Sequence, residues 1–166
     1  MSEIAALLEQ SVERALSAQG GRGAQAEMEA GRLPAALWAE LSELGLLGAL
    51  LPEDDGGAGC SCADALPALL ALGRRAAAAP VGEEMLARWL LWRGGLAQPA
   101  GLVTMAPDGA ALEWTPEGHV AGMLAGVPWG RHATHVVVER VDRGQRALAL
   151  VETVGAETVS YTHLRA

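Results

Sequence analysis

The spacing of apolar residues changes character once along this chain, and that change limits the folds open to it. Up to Trp92, apolar side chains recur three and four positions apart, the period of a helix with one buried face. Past Pro99 they come in short runs cut by turn residues, at 102–105, 119–123, 135–141 and 147–151. Helices first and strands afterwards predict an α+β chain of two segregated units with a boundary near residues 95–100. We read 1–97 as an N-terminal all-α helical domain and 98–158 as an incomplete antiparallel β-barrel or sandwich domain. Residues 159–166 (VSYTHLRA) break the pattern and read as a non-native or truncated tail.

Within the helical part, Ile4, Leu7, Leu8, Ala15 and Leu16 share a stripe of a first helix over Glu3 to Ala18. The stretch QGGRGAQAEMEAG (19–31) reads as a flexible connection, with a helical turn around Ala24 to Ala30. A second helix starts near Leu33 with Pro34 in its first turn, where a missing N–H costs nothing. It carries Leu37, Trp38, Leu41 and Leu44 and closes at Gly45. Leu46 to Leu51 then has to cross the core. Ser61 with Asp64 is a variant capping box opening a helix with Ala65, Leu66, Leu69, Leu70 and Leu72. Pro67 predicts a kink or a late start in that helix, which ends near Arg74-Arg75. A fourth helix runs from about Glu83 to Arg93, with Met85, Leu86, Trp89, Leu90 and Trp92, and stops at Gly94-Gly95. Farther on, the runs starting at His135 and Ala147 form a hairpin through the turn Asp142-Arg143-Gly144.

Length and charge exclude several functions. The 166 residues are enough to bury a real core, and 51% apolar against 19% charged residues describe a globular chain, not a disordered one. A net charge of −8, with no lysine and scattered arginines, argues against nucleic acid, whose phosphates need clustered cations. Adjacent Arg74 and Arg75 read as a solvated face more than an anion site. No apolar run reaches the ~18–20 residues of a membrane span. The start, MSEIAALLEQ, has no basic segment of a secretory signal, so a cytoplasmic location is expected. Cys60 and Cys62 are too close for an ordinary disulfide and lack a second pair for zinc.

The remaining clusters give structure more readily than chemistry. Glu53-Asp54-Asp55 reads as solvated turn residues without a matching ligand set. Gly56-Gly57-Ala58-Gly59 lacks the preceding strand and the lysine of a phosphate loop, so it is a tight helix-to-helix turn. His132 and His135, three apart, point to opposite faces of a strand and cannot share a metal. Of the five tryptophans, Trp38, Trp89 and Trp92 lie on helical stripes as core. Trp114 and Trp129, near strand ends, are the two to test for contact with a planar cofactor.

Three stretches, in order, resemble the acyl-CoA dehydrogenases. The first is WAELSELGLLGALLPEDDGGAGCS (Trp38 to Ser61), similar to the family's ELGLLG and PE-x-x-GG-x-G-x-S pattern. The second is LGRRAAAAPVGEEMLARWLL (Leu72 to Leu91), and the third is GMLAGVPWGRHATHVVV (Gly122 to Val138), where Thr134 takes the place of the usual Asp. The resemblance covers roughly residues 30–155. It implies an N-terminal helical domain, a middle β domain and a C-terminal four-helix domain, with FAD between the last two. The implied reaction is α,β-dehydrogenation of an acyl-CoA thioester, with an electron-transferring flavoprotein as acceptor and like subunits in a homo- or hetero-oligomer.

By position, the resemblance places flavin contact at Leu102, Thr104 and Met105. The family's T-E-P-x-A-G-S-D stretch corresponds to Val103 to Ala111, where Pro107 is kept, Ala106 replaces the Glu and the Ser-Asp pair is missing. The family's catalytic carboxylate and FAD-diphosphate residues belong to the C-terminal domain, so no catalytic residue is expected in this chain. The expectation is therefore a fragment of an FAD-dependent acyl-CoA dehydrogenase, inactive alone. A non-catalytic partner subunit of a hetero-oligomeric dehydrogenase and a cofactor-free interaction module are the alternatives.

Overall fold

A hydroxyl at each end of one contact fixes the first helix. Ser2 accepts the Ala5 N–H at 3.1 Å as the N-cap of α1 (Glu3–Gln19), and its own hydroxyl donates to Asp64. Asp64 belongs to the capping box of α4 (Cys62–Arg74): Ser61 Oγ accepts the Asp64 N–H at 3.2 Å, and Asp64 accepts the Ser61 N–H at 3.1 Å. At the other end of the pair, Arg74 reaches Glu9 at 2.6 Å and Arg75 reaches Glu13 at 3.0 Å. The two arginines thus tie α4 to α1 instead of facing solvent unpaired.

The computed structural model describes residues 2–106, 112–115, 119–142 and 145–157. Between α1 and α4 lie α2 (Arg22–Glu29), α3 (Ala35–Glu43) and two 3-10 turns, Leu46–Gly48 and Glu53–Asp55. The stretch read as a flexible connection therefore holds an eight-residue helix, α2, which buries a single residue, Ala24. Gly45 closes α3 in the left-handed region at φ 70°, as its sequence position predicts. Leu46, Ala49 and Leu51 are buried, so the apolar segment does enter the core. α4 starts at Cys62 and continues through Pro67, without the late start that the proline predicted.

Leu37, Leu41, Leu46, Val12, Ala15, Ala65, Ala68 and Ala71 form the centre of the helical core, joined by Val81 and Met85 from α5 (Val81–Arg93). The opposite side of α5 packs on a sheet: Ala87 and Leu91 meet Val103 and Val137. A helix covered on two sides is apolar around most of its girth, which blurs its period. That is why its buried set (Val81, Glu84, Met85, Ala87 and Leu91) differs from the stripe read in the sequence, and why Leu86 is exposed. Trp89 and Trp92 are half-buried, with the Arg93 guanidinium over both rings, and Trp92 donates its indole N–H to Asp55 at 2.9 Å.

Five strands follow: β1 (Val103–Met105), β2 (Leu112–Trp114), β3 (Val120–Gly122), β4 (His135–Asp142) and β5 (Gln145–Glu152). β4 and β5 form the antiparallel hairpin foreseen in the sequence, although its turn residues Arg143 and Gly144 lie outside the described residues. β1 joins β4 in parallel, giving the order β1-β4-β5, and β2 and β3 form a separate antiparallel pair. The chain is α+β with small mixed sheets and no closed barrel among the described residues. The parallel β1 departs from the antiparallel expectation because the connection from β1 to β4, which holds β2 and β3, is long enough to carry the chain back before β4 begins. Val136 and Val138 face a third apolar cluster with Ala106, Leu112, Trp114, Leu124 and Val127. The tail 158–166 lies outside the described residues.

Candidate functional site

The segment singled out for cofactor contact, Leu102 to Met105, is built at the seam between α5 and the sheet. Gly101 leads into it at φ 83°, and a Cβ there would stand 2.6 Å from Thr134 Oγ1, so both backbone and space require glycine. The Thr134 hydroxyl lies 3.1 Å from the Ala100 carbonyl and 3.0 Å from that of Leu102, and its N–H donates to Leu102 at 2.9 Å. This residue occupies the position where the resembling motif carries Asp; an acceptor-only carboxylate there would face two carbonyls.

From the other side comes Glu84, 1% exposed on α5. One carboxylate oxygen accepts from Arg88 Nη2 at 2.6 Å and Nε at 2.8 Å, and the other accepts the Val103 N–H at 3.3 Å. Arg88 continues to the Gly101 carbonyl at 3.0 Å and that of Pro99 at 3.4 Å. Gln98 closes the loop by donating to the Arg88 carbonyl at 3.0 Å. Burial pushes the Glu84 carboxyl above its ordinary value, while the Arg88 charge and the bonds from Arg88 and Val103 pull it down.

Thr104 and Met105 lie on β1 and Leu102 immediately before it, with different surroundings. Val103 and Met105 pack toward α5 and Leu91. Thr104 is fully buried and its hydroxyl donates to the Pro128 carbonyl at 2.8 Å, so that group is spent inside the fold. Leu102 is buried as well. In the parallel ladder the Leu102 carbonyl and Ala106 N–H point to β4, so the backbone groups of Val103 and Met105 point to the outer edge of the sheet. Glu84 takes the Val103 N–H there, and among the described residues nothing takes that of Met105.

That outer edge decides the fit of a flavin. Val103 is fully buried, so what the edge offers is the N–H and carbonyl of Met105, a donor and an acceptor in line for the polar edge of a planar ring. The side chains offer no polar group to match. The flavin that the resemblance implies would meet backbone groups on this strand and no hydroxyl, since Thr104 is committed to Pro128. Pro107 and the residues to 111 lie outside the described residues.

Other candidates are placed as follows. Trp114 packs in the apolar cluster over Val136 and Val138. Trp129, at φ 54°, is half-buried beside the Pro128 carbonyl that anchors Thr104, with its ring centroid 5.8 Å from that of His132. His135 Nδ1 meets Thr134 Oγ1 at 3.0 Å. Among the described residues no group of three His, Cys, Asp or Glu is placed to hold a metal ion, and no helix is long and apolar enough to cross a membrane. Cys60 is buried and Cys62 exposed, both as free thiols. The Gly-rich turn folds back on its own start: Gly59 and Gly57 donate to Leu51 and Pro52 at 2.8 and 2.9 Å, joining α3 to α4 as expected.

Sequence reasoning missed Glu84 and Arg88. Their signal was present as an i,i+4 Glu–Arg pair in a helix otherwise apolar on that side, but the same spacing is common on solvated faces.

Residues 2–98 match the N-terminal domain of acyl-CoA dehydrogenases. Two solved structures share the fold. One is a variant of the Tcur3481-Tcur3483 steroid ACAD, 24% identical with a TM-score of 0.76, the match covering 90% of this chain and 48% of that one. The other is the ChsE4-ChsE5 complex from Mycobacterium tuberculosis, 25% identical with a TM-score of 0.77, covering 92% and 48%. The chain spans about half the length of each. No curated protein matches it.

Proposed function

Because the chain belongs to the acyl-CoA dehydrogenase family, we propose that it supplies the N-terminal helical domain (1–97) and part of the middle β domain (98–158) of an FAD-dependent acyl-CoA dehydrogenase. The observation that carries the flavin part of this reading is the outer edge of β1, where the Met105 N–H has no partner among the described residues. FAD, when bound, supplies a two-electron acceptor for the β-hydride of an acyl-CoA thioester. This chain's residues would hold the strand that orients it: the Met105 N–H would donate to the ring edge and the Met105 carbonyl accept from it, while Leu102 and Thr104 anchor the strand from within. By the same likeness, the base that takes the α-proton and the residues that hold the FAD diphosphate would come from the family's C-terminal helical domain, and the electrons would pass to an electron-transferring flavoprotein. The proposed location is the cytoplasm.

A second reading is supported by two observations. One structural relative is a complex of ChsE4 and ChsE5. In this chain Ala106 and a committed Thr104 hydroxyl leave the flavin stretch without polar side chains. A subunit that pairs with a flavin-loaded partner and performs no chemistry itself fits both. Co-expression of the full-length protein with its genomic neighbours, followed by absorbance near the flavin bands and enoyl-CoA formation, separates the readings. Flavin with the protein purified alone supports the first, flavin in the complex alone supports the second, and none in either overturns both in favour of a cofactor-free module.

A further inference from the structure

We propose that Glu84, Arg88 and Thr134 are positioning residues that set where the outer edge of β1 stands, and hence how tightly a flavin lies against it. The proposal rests on the flavin reading above and adds residues that touch no cofactor themselves. β1 is only three residues long, pairs on one side alone among the described residues, and enters through Gly101, so its ladder bonds to β4 do not fix its position by themselves. Two side-chain systems complete the fixing from opposite sides. Glu84, buried and held by two guanidinium bonds, takes the Val103 N–H; Arg88 takes the carbonyls of Pro99 and Gly101 just upstream. Thr134, just before β4, bonds the carbonyls of Ala100 and Leu102.

The result is that the whole approach, Pro99 to Val103, hangs on three side chains from two different elements. The Val103 N–H taken by Glu84 is the group next but one to the Met105 N–H on the same edge. Capping the first with a carboxylate leaves the second as the open donor of the strand. Glu84 also keeps its charge compensated only while Arg88 stays in place, so removal of either one loosens the other's hold on the segment from Pro99 to Val103.

The test uses the full-length protein stripped of flavin. Hydrogen exchange is followed over residues 99–106, and FAD affinity is read by titration with fluorescence quenching. Glu84→Gln, Arg88→Met and Thr134→Val should each raise exchange over 99–106 at least tenfold, with α1 and α4 unchanged. Each should weaken FAD binding by about tenfold, and Thr134→Ser should restore both. Unchanged exchange in all three variants overturns the proposal, as does raised exchange with FAD affinity intact. A wild-type protein that binds no FAD overturns the flavin reading itself, an outcome visible before any variant is made.

Discussion

Among the described residues Glu84 is the one charged side chain that is buried, a carboxylate at 1% exposure where α5 meets β1. Burial holds its pKa above the ordinary 4.5, so the folded chain binds the proton more tightly than the unfolded one. The stability this group contributes is therefore complete below about pH 4.5 and is lost as pH rises through the raised folded value. Urea midpoints taken from pH 4.5 upward should show that loss, and Glu84→Gln, which has no proton to release, should flatten it. An identical slope in the variant would assign the trend to another group. Gly57 is bound by space instead of charge. A Cβ there would stand 2.1 Å from the Leu51 carbonyl oxygen, so the turn has to open. Gly57→Ala should cost roughly the upper part of the ~1–3 kcal/mol typical of overpacking, or more. Gly23→Ala, with nothing within 4 Å inside α2, should instead stabilise by ~0.5–1 kcal/mol through helix propensity. Paired denaturation curves for the two variants check the contrast.

The capping box of α4 is the element most plainly written in the sequence, because Ser61 and Asp64 act on backbone only three residues away. Asp64 is held below its ordinary pKa by the Ser2 hydroxyl first, then by the Ser61 side chain and backbone. A depressed carboxylate contributes stability above its unfolded value of 3.8 and loses it as pH falls through the folded one. Ser61→Ala should cost ~1 kcal/mol at neutral pH. The gap between wild type and Asp64→Asn should close on acidification below pH 3.8, as thermal melts across pH would reveal. Local signals of this kind also gave Gly45 as the stop of α3 and the β4–β5 hairpin. What escaped was non-local. α2 buries one alanine, too little to leave a stripe. β2 is three residues whose strand character comes from pairing with Val120–Gly122. The site behaved the same way. Leu102, Thr104 and Met105 could be placed by likeness to a motif, but only the tertiary arrangement shows that Thr104 is spent on Pro128 and that Glu84 and Arg88 hold the strand.

At the scale of the molecule, three apolar clusters lie in sequence: one among the helices, one between α5 and the sheet, one on the sheet's far face. The first two are closed by their neighbours. The third is shallow: Leu112, Trp114, Leu124, Val127, Ala149 and Val151 are only partly buried, and Met123 and Val154 stand 68% and 89% exposed. β1 and β5 are both edges of the three-stranded sheet. Open edges beside an apolar face are templates for pairing with another chain. The 166-residue chain, expressed without further sequence, should therefore self-associate at micromolar concentration and melt over a broad range. Met123→Lys with Val154→Lys should shift sedimentation toward monomer, because both positions are too exposed to support the core. A monodisperse monomer with a sharp, cooperative melt in the unmodified chain would show that the far face of the sheet is already satisfied within these residues.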